Sequence, residues 1–529
     1  MDDFEIFPEF TFPKSMWTSS VKELFPEELL KLLKELHENF NPGRLGLLNE
    51  RARRQSEFDR GNLPNYLNPL SEAVSGDWKV LTIPPNLSCR RVEITGPVNS
   101  TKMVINMLNR NEYGSRADMA MLDFEDSMKP TLNNILNGYS NVIGAVTGSL
   151  TYATESKKYQ LNPNDMAYVM IRVRGLHLNE VNFKINGESI SGGLLDLATC
   201  FFHTAKIYLE QNKSPKFYIP KCEHYLEARW WNSLFNALEK FYDLPVGTIK
   251  VTFLIETLPA TYQAEEILFE IKDHAVGLNV GRWDKIFSDI KILRNHADRI
   301  LADRSTLNLK RPWMENYAKR VIAVCHSRGA LAIGGMSAFT PGNTASEREE
   351  QSAKVLSDKL LEASWGHDGC WVSHPYFIGT AMSAFVTKNQ LFMKVMKEDK
   401  YLDVLPQGGG PYTLNGLRVN IRVGIAYLHG WNNGLGCVAF DHLMEDLATL
   451  EISRAQCWQW LHHRIKLDSG EEVNKDLISK IFDEEFEKIC NEIPSPRSSL
   501  IRARDSAKNI FLQESLAEFF TLDSEKHIG

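Results

Sequence analysis

Apolar residues recur along this chain with two different periods, and the change from one to the other divides it. Near the start, Leu29, Leu30, Leu32, Leu33 and Leu36 make a wide apolar stripe at helical spacing. Pro26 suits the first helical position, and Glu27 and Glu28 favour the positive end of a helix dipole. Residues 1–85 are therefore expected to form an N-terminal helical clasp. From about residue 90 the apolar runs shorten and are separated by stretches long enough for helices. RVEIT (91–95), MAMLDFE (119–125), YVMIRV (168–173), KFYIP (216–220), KVTFLIE (250–256), VGLNV (276–280), LAIGG (331–335) and CWVSH (370–374) read as strands of a parallel sheet with crossovers.

Eight such strands fit an α/β fold of the (β/α)8 TIM barrel type, usually about 250 residues before insertions. The barrel is expected over 86–385. A doubly wound sheet is the alternative, but no glycine-rich dinucleotide turn supports it. Residues 176–194 read as a hairpin-like insertion around Asn186-Gly187, and 343–353 as a polar surface loop. Beyond 385 the strand pattern stops and amphipathic helices take over, most clearly at 443–463. Residues 386–529 are thus expected to be an all-α C-terminal domain, with PQGGGPY (406–412) as a hinge before it.

Composition narrows the class without naming a function. Hydrophobic residues at 43% and charged residues at 24% exclude a disordered or fibrous chain of 529 residues. A net charge of −7 argues against nucleic acid or an anionic membrane as the main partner. No long apolar stretch suits a membrane span, and the N-terminus MDDFEIFPEF lacks the order of a secretory signal. The eight cysteines carry no CxxC pair, which fits reduced thiols and a cytoplasmic protein rather than a zinc or disulfide framework. The final EKHIG is not a peroxisomal SKL-type address.

Polar residues gather where the strands end: Glu125 and Asp126, Arg172 and Arg174, Lys221, Glu256, and Asp284 just past the sixth strand. In a barrel those ends form one rim, where active sites lie. Glu256 and Asp284 offer hard oxygens suited to Mg²⁺; the plain alternative for each is a salt bridge or a helix cap. GLNVGRWD (277–284) leads into a helix whose first N–H groups suit a small carboxylate, or it is an ordinary strand-to-helix turn. Arg172 and Arg174 alternate on one strand, placed to stabilise an oxyanion or to pair with Glu125 and Asp126. Asp446 sits in an apolar helix where desolvation would raise its pKa, beside the equally acidic Glu445. His462 and His463 are consecutive on a helix and diverge too much to form a metal pair. No Ser-His-Asp or P-loop pattern is present.

KDHAVGLNVGRWDKIF (272–287) resembles the signature segment of the malate synthase family. The likeness extends in order through RRVEITGPV (90–98), LDFEDS (122–127), IRVRGLHL (171–178), LIETLPA (254–260), GGMSAF (334–339), GHDGCWVSHP (366–375) and LMEDLATLEISR (443–454). It is strongest to the shorter, A-type form. The resemblance implies a barrel closed by an N-terminal clasp and a C-terminal helical plug. It implies an acyltransferase that condenses acetyl-CoA with glyoxylate and hydrolyses the thioester to malate and CoA, as in the glyoxylate cycle. Carried over, Glu256 and Asp284 hold Mg²⁺, Arg172 is the catalytic arginine and Asp446 the base. Backbone groups of Gly281, Arg282, Trp283 and Asp284 hold the glyoxylate carboxylate.

The chain departs from the family pattern at several places. Lys285 stands for a usual aromatic, Cys370 for Thr, Tyr376 for Gly, Ala439 for Pro, and Leu447 and Leu450 for alanines. The larger side chains are expected to shift the helix carrying Asp446 or to narrow the thioester channel. A malyl-CoA-type lyase without hydrolysis, or a non-catalytic binding protein on the same scaffold, are the competing readings. CoA contacts are unassigned: Arg90, Arg91 and Lys102 suit phosphates, and surface salt bridges suit them equally. A monomer is expected.

Overall fold

The computed structural model describes residues 3–7 and 9–524. Eight strands close into a parallel barrel: β1 (Val92–Pro97), β2 (Met119–Asp123), β3 (Tyr168–Arg172), β4 (Lys216–Ile219), β5 (Lys250–Leu254), β6 (Ala275–Asn279), β7 (Leu331–Ser337) and β8 (Gly369–Val372). They pair in chain order, and β8 pairs with β1 through Cys370 and Val92. All eight expected strands are present, with ends moved by a few residues. β1, β2, β4, β5, β6 and β8 are buried along their whole length, which is why they stood out as continuous apolar runs. Methionines 119, 121 and 170, with Leu254, Ile333 and Trp371, fill the interior.

The clasp is only partly helical. Its main element is α1 (Glu27–Asp59), with Pro26 just ahead of it rather than inside. Before it, the strand Phe10–Pro13 pairs with Asn179–Ile185 of the 176–194 insertion, so clasp and insertion share one four-stranded sheet. The insertion's turn is the expected one: Asn186 and Gly187 both take left-handed backbone angles, φ 52° and 81°, as a two-residue hairpin requires.

Two other expectations change. Residues 343–353 are mostly the start of helix Ala345–Trp365, announced by a Thr344/Glu347 capping box. The C-terminal part becomes helical only from Leu414, since 386–413 hold just a 3-10 turn, Lys397–Tyr401; later its helices are interrupted by a hairpin, Val438–Phe440 with Leu443–Glu445, whose turn residues Asp441 and His442 sit at φ 47° and 62°. That hairpin ties the helical part to the barrel, since Met444 N–H donates to Ala338 O at 2.7 Å and His442 O accepts from Thr340 N–H at 3.0 Å.

After the hairpin runs α3 (Leu447–His462), packed against α2 (Arg282–Ile292) on the barrel rim. From Leu447 to Trp460 every residue of α3 is buried, so it is a core helix between barrel and C-terminal helices rather than an amphipathic one. The glycine-rich 406–412 stretch is anchored: Gly409 N–H donates to Ile300 O and Asp303 N–H to Pro411 O. The terminal EKHIG lies outside the described residues.

Candidate active site

Each polar group at the rim is delivered by the end of a strand or the start of a helix. Asp123 ends β2 and binds Arg172, at the end of β3, through two hydrogen bonds of 2.7 and 2.6 Å. The third guanidinium nitrogen lies 3.2 Å from Asp126. Burial acts to raise the Asp123 carboxyl, but Arg172 and the bonds from Ser127 and the Glu125 N–H outweigh it and hold the group below its ordinary value. Arg172 is thereby fixed in direction, with its face over Trp371 at 5.7 Å.

Lys221 follows β4 in a left-handed conformation, φ 52°. Its N–H donates to Glu256 Oε1 at 2.7 Å and its ammonium to both oxygens of Asp126 at 2.8 and 2.9 Å. The same ammonium stands 3.2 Å from Asp284 and 3.3 Å from Glu125. Glu256 lies two residues past β5, and Asp284 is in the first turn of α2. Gly281, at the N-cap of α2, is needed there: a Cβ would come within 2.7 Å of Glu256 Oε2. No side chain caps this helix start.

Six carboxyl groups, on Asp123, Glu125, Asp126, Glu256, Asp284 and Asp446, face the cations Arg172 and Lys221. Arg282 adds no free charge, since Asp358 holds it through two bonds of 3.0 Å. Burial first and neighbouring carboxylates next push the carboxyls up: Glu125 to about 8, Asp284 to about 6, and Glu256 well above its ordinary value. Glu256 Oε2, Asn279 Oδ1 and both Glu125 oxygens are buried without a hydrogen-bond partner. Buried acceptors left in this condition mark a place built for something else.

Asp446 is not inside a helix but at its cap. Its carboxylate accepts the Thr449 N–H at 3.2 Å and Thr449 Oγ accepts the Asp446 N–H at 3.0 Å. Burial, then Asp126 and Asp284, raise its pKa well above the ordinary value, while Arg172 and the Thr449 N–H oppose the rise. The result is a carboxylate of strong basicity at a helix N-terminus.

Arg172, Glu256, Gly281, Arg282, Trp283, Asp284 and Asp446 line one small cavity of about 50 Å³. Residues that sequence reasoning gave no role join them: Asp123 and Asn279 in its wall, and Cys437 beside Asp446. Lys221 was visible only as a strand-end lysine. Thr95, Gly96, Met103, Ser373 and Met444 are shared with an outer groove of about 650 Å³.

Other expectations resolve differently. Arg174 is structural, bound to Asp196 and Glu180. Arg90 and Arg91 precede β1, at the barrel end opposite the rim; Arg90 is fully buried on Glu93, and Arg91 pairs with Asp118. Neither can meet a phosphate at the rim. Lys102 lies past the rim end of β1, over the Tyr159 ring. Leu447 and Leu450 pack into the C-terminal core with Ile300 and Trp460 instead of narrowing a channel. Lys285 forms a buried ion pair with Asp289, and Tyr376 lines the outer groove against Tyr113. His462 stacks on Trp458, and His463 bonds the Arg294 carbonyl.

Comparison with known proteins agrees with this architecture. The profile "Malate synthase, TIM barrel domain" matches residues 168–405, "Malate synthase, C-terminal" 412–528, and "Malate synthase, N-terminal domain" 17–71. β1 and β2 fall between these matches, and full-length relatives cover them. Malate synthase A of Escherichia coli (strain K12) is 43% identical over 514 residues, 95% of each chain. Malate synthase of Myxococcus xanthus (strain DK1622) is 41% identical, over 96% of this chain and 95% of its own. The glyoxysomal malate synthase of Candida tropicalis is 37% identical, over 94% and 92%. With a closed barrel, a rim of catalytic-type groups and relatives matched along nearly the whole length, the chain belongs to the malate synthase family.

Proposed function

We propose that this chain joins the methyl carbon of acetyl-CoA to the aldehyde carbon of glyoxylate and hydrolyses the thioester, releasing malate and CoA. The observation that carries the reading is the facing of Asp446 by Arg172 and the Glu256–Asp284 pair across one cavity.

The donor set fits Mg²⁺. Glu256 and Asp284 supply two anionic oxygens, Glu256 Oε2 has no protein partner, and the local excess of carboxylates calls for a divalent cation. When bound, Mg²⁺ would supply Lewis-acid polarisation of the glyoxylate carbonyl.

The protein's own groups do the rest. N–H groups at the start of α2, from Gly281 to Asp284, orient the glyoxylate carboxylate. Asp446 takes a proton from the acetyl methyl group, and the electron pair left on that carbon delocalises into the thioester oxygen. Arg172, immobilised by Asp123, stabilises the negative oxygen of that enolate. The enolate carbon then attacks the aldehyde carbon, whose π electrons move to its oxygen, and that oxygen takes up a proton; water then cleaves the thioester C–S bond, leaving the malate carboxylate and CoA thiol. α3 and the hairpin roof the cavity and exclude bulk water, which strengthens each of these interactions.

The outer groove, reaching the cavity past Met103 and Met444, is the route for the acyl-CoA arm. Lys157 and Arg348 on its walls suit an anionic cofactor, while Arg110 there is held by Asp165. The eight unpaired thiols support a reducing compartment, the cytoplasm. No helix among the described residues is long and apolar enough to cross a membrane.

Incubating the protein with acetyl-CoA, glyoxylate and Mg²⁺ and following products by proton NMR tests the reading. Malate and CoA in equal amounts are expected; accumulation of malyl-CoA would replace it with a lyase.

A further inference from the structure

Among the described residues none of the N-terminal clasp lines the cavity or its groove, yet one face of α1 is aimed at the elements that carry the carboxylate pair. Arg51, Gln55 and Asp59 recur every four residues and so share that face. Arg51 is buried and makes a two-pronged bond to Glu227, 2.8 and 2.7 Å, while its Nη2 also donates to the Lys221 carbonyl at 2.7 Å. Glu227 in turn accepts the Glu223 N–H at 2.8 Å. The loop from Lys221 to Glu223 is therefore gripped at both ends from outside the barrel.

The second grip is on α2. Glu223 accepts the Lys291 ammonium at 2.7 Å, Gln55 reaches the Lys291 and Ile292 carbonyls at 3.4 and 3.3 Å, and Asp59 pairs with Arg294. α2 carries Asp284 at its other end. Lys221 holds Glu256 through its N–H and faces Asp284 through its ammonium, in a left-handed backbone conformation unfavourable for a non-glycine residue. A strained residue of this kind keeps its geometry only where its surroundings over-determine it.

We infer that Arg51 is a positioning residue of the cation site: by anchoring the Lys221 carbonyl it sets the Lys221 N–H and ammonium that orient Glu256 and Asp284. The clasp is then part of the active site's support, not a separate stabilising arm. This inference rests on Glu256 and Asp284 being the cation's holders.

The test is Mn²⁺ affinity of the full chain by electron paramagnetic resonance, with thermal unfolding alongside. Arg51→Lys keeps a charge for Glu227 but loses the arm that reaches the Lys221 carbonyl. The double change Arg51→Met with Glu227→Gln removes the buried pair together, so that Glu227 is not left as an unpaired charge if the single variant fails to fold. Either variant, when folded, is expected to weaken Mn²⁺ binding about tenfold or more, as loss of an outer support to a metal site does. Arg53→Ala, on the exposed side of the same helix, is expected to leave it unchanged. A folded Arg51 variant that keeps Mn²⁺ affinity within about twofold, while Asp284→Asn loses it, overturns the inference and leaves the cation site standing. Unchanged binding in Asp284→Asn overturns the cation site itself, and the inference with it.

Discussion

The barrel holds two buried polar clusters, one near each end, and they are built on opposite principles. Toward the N-terminal end, Arg90 donates to Glu93, to Thr252 at 2.9 Å and to the Tyr218 hydroxyl at 2.7 Å; Tyr218 and Trp371 complete the shell of Glu93. Each donor there finds an acceptor. At the rim, carboxyl groups outnumber cations, Glu125 and Glu256 keep oxygens without hydrogen-bond partners, and their pKa values rise. A cluster that serves only the fold closes on itself, whereas one that receives substrate and cation stays incomplete until they arrive.

If this contrast is real, changes at the two ends should have opposite signatures. Arg172→Lys at the rim should lower kcat by about 10²–10³-fold, with a melting temperature close to the parent, because the transition-state oxygen loses a fixed planar donor. Arg90→Met should do the reverse: it strands Glu93 without its cation and costs about 3–5 kcal/mol in denaturant unfolding, with little change in kcat.

Glu256→Gln sharpens the comparison from the other side. Removing one buried, repelled carboxylate should raise the melting temperature measured in EDTA, and should abolish the rise that Mg²⁺ gives the parent. A melting temperature in EDTA below that of the parent would show that the carboxylates are not in conflict.

The smallest effect concerns an exception at the closed end. Lys216, at the start of β4, is buried with no hydrogen-bond partner for its ammonium, which lies 4.4 Å from the Tyr208 ring centre. Burial, and then Lys213, lower its pKa to about 7. Unfolding restores a value near 10.4, so between those limits the unfolded chain binds more protons and stability rises with pH. Lys216→Met should therefore gain roughly 1–3 °C below pH 7, with the gain shrinking toward pH 10. A gain independent of pH would mean the lysine is neutral throughout.

How much of this was readable in the sequence depends on the range of the interactions. The barrel strands were legible because burial on both faces writes each as one apolar run. The strand Phe10–Pro13 was not, since its partner lies in the insertion about 170 residues on; the hairpin at 438–445 was too short to show a period. Glu256, Asp284 and Arg172 were visible at element ends and through family resemblance, and Asp446 through its apolar surroundings and the same resemblance. That Asp446 caps α3 follows from Thr449 three residues on, a local sign passed over in favour of the apolar stretch. Lys221 showed only as a lysine at a strand end and Arg51 not at all, because their importance lies in a carbonyl and an N–H that only the folded chain brings together. Arg90 misled for the opposite reason: a pair of arginines beside a strand does not say which end of the barrel it occupies.

The central claim is that Asp446 removes the proton that starts the reaction, in the cavity it shares with the carboxyl pair Glu256 and Asp284. Its most direct test is glyoxylate- and Mg²⁺-dependent release of CoA thiol by Asp446→Asn, with Mn²⁺ binding measured on the same sample. The expected result is release at least about 10²–10⁴-fold slower than the parent, with cation affinity retained. Thiol release near the parent rate, by a variant that still binds the ion, would contradict the assignment of Asp446 as the base.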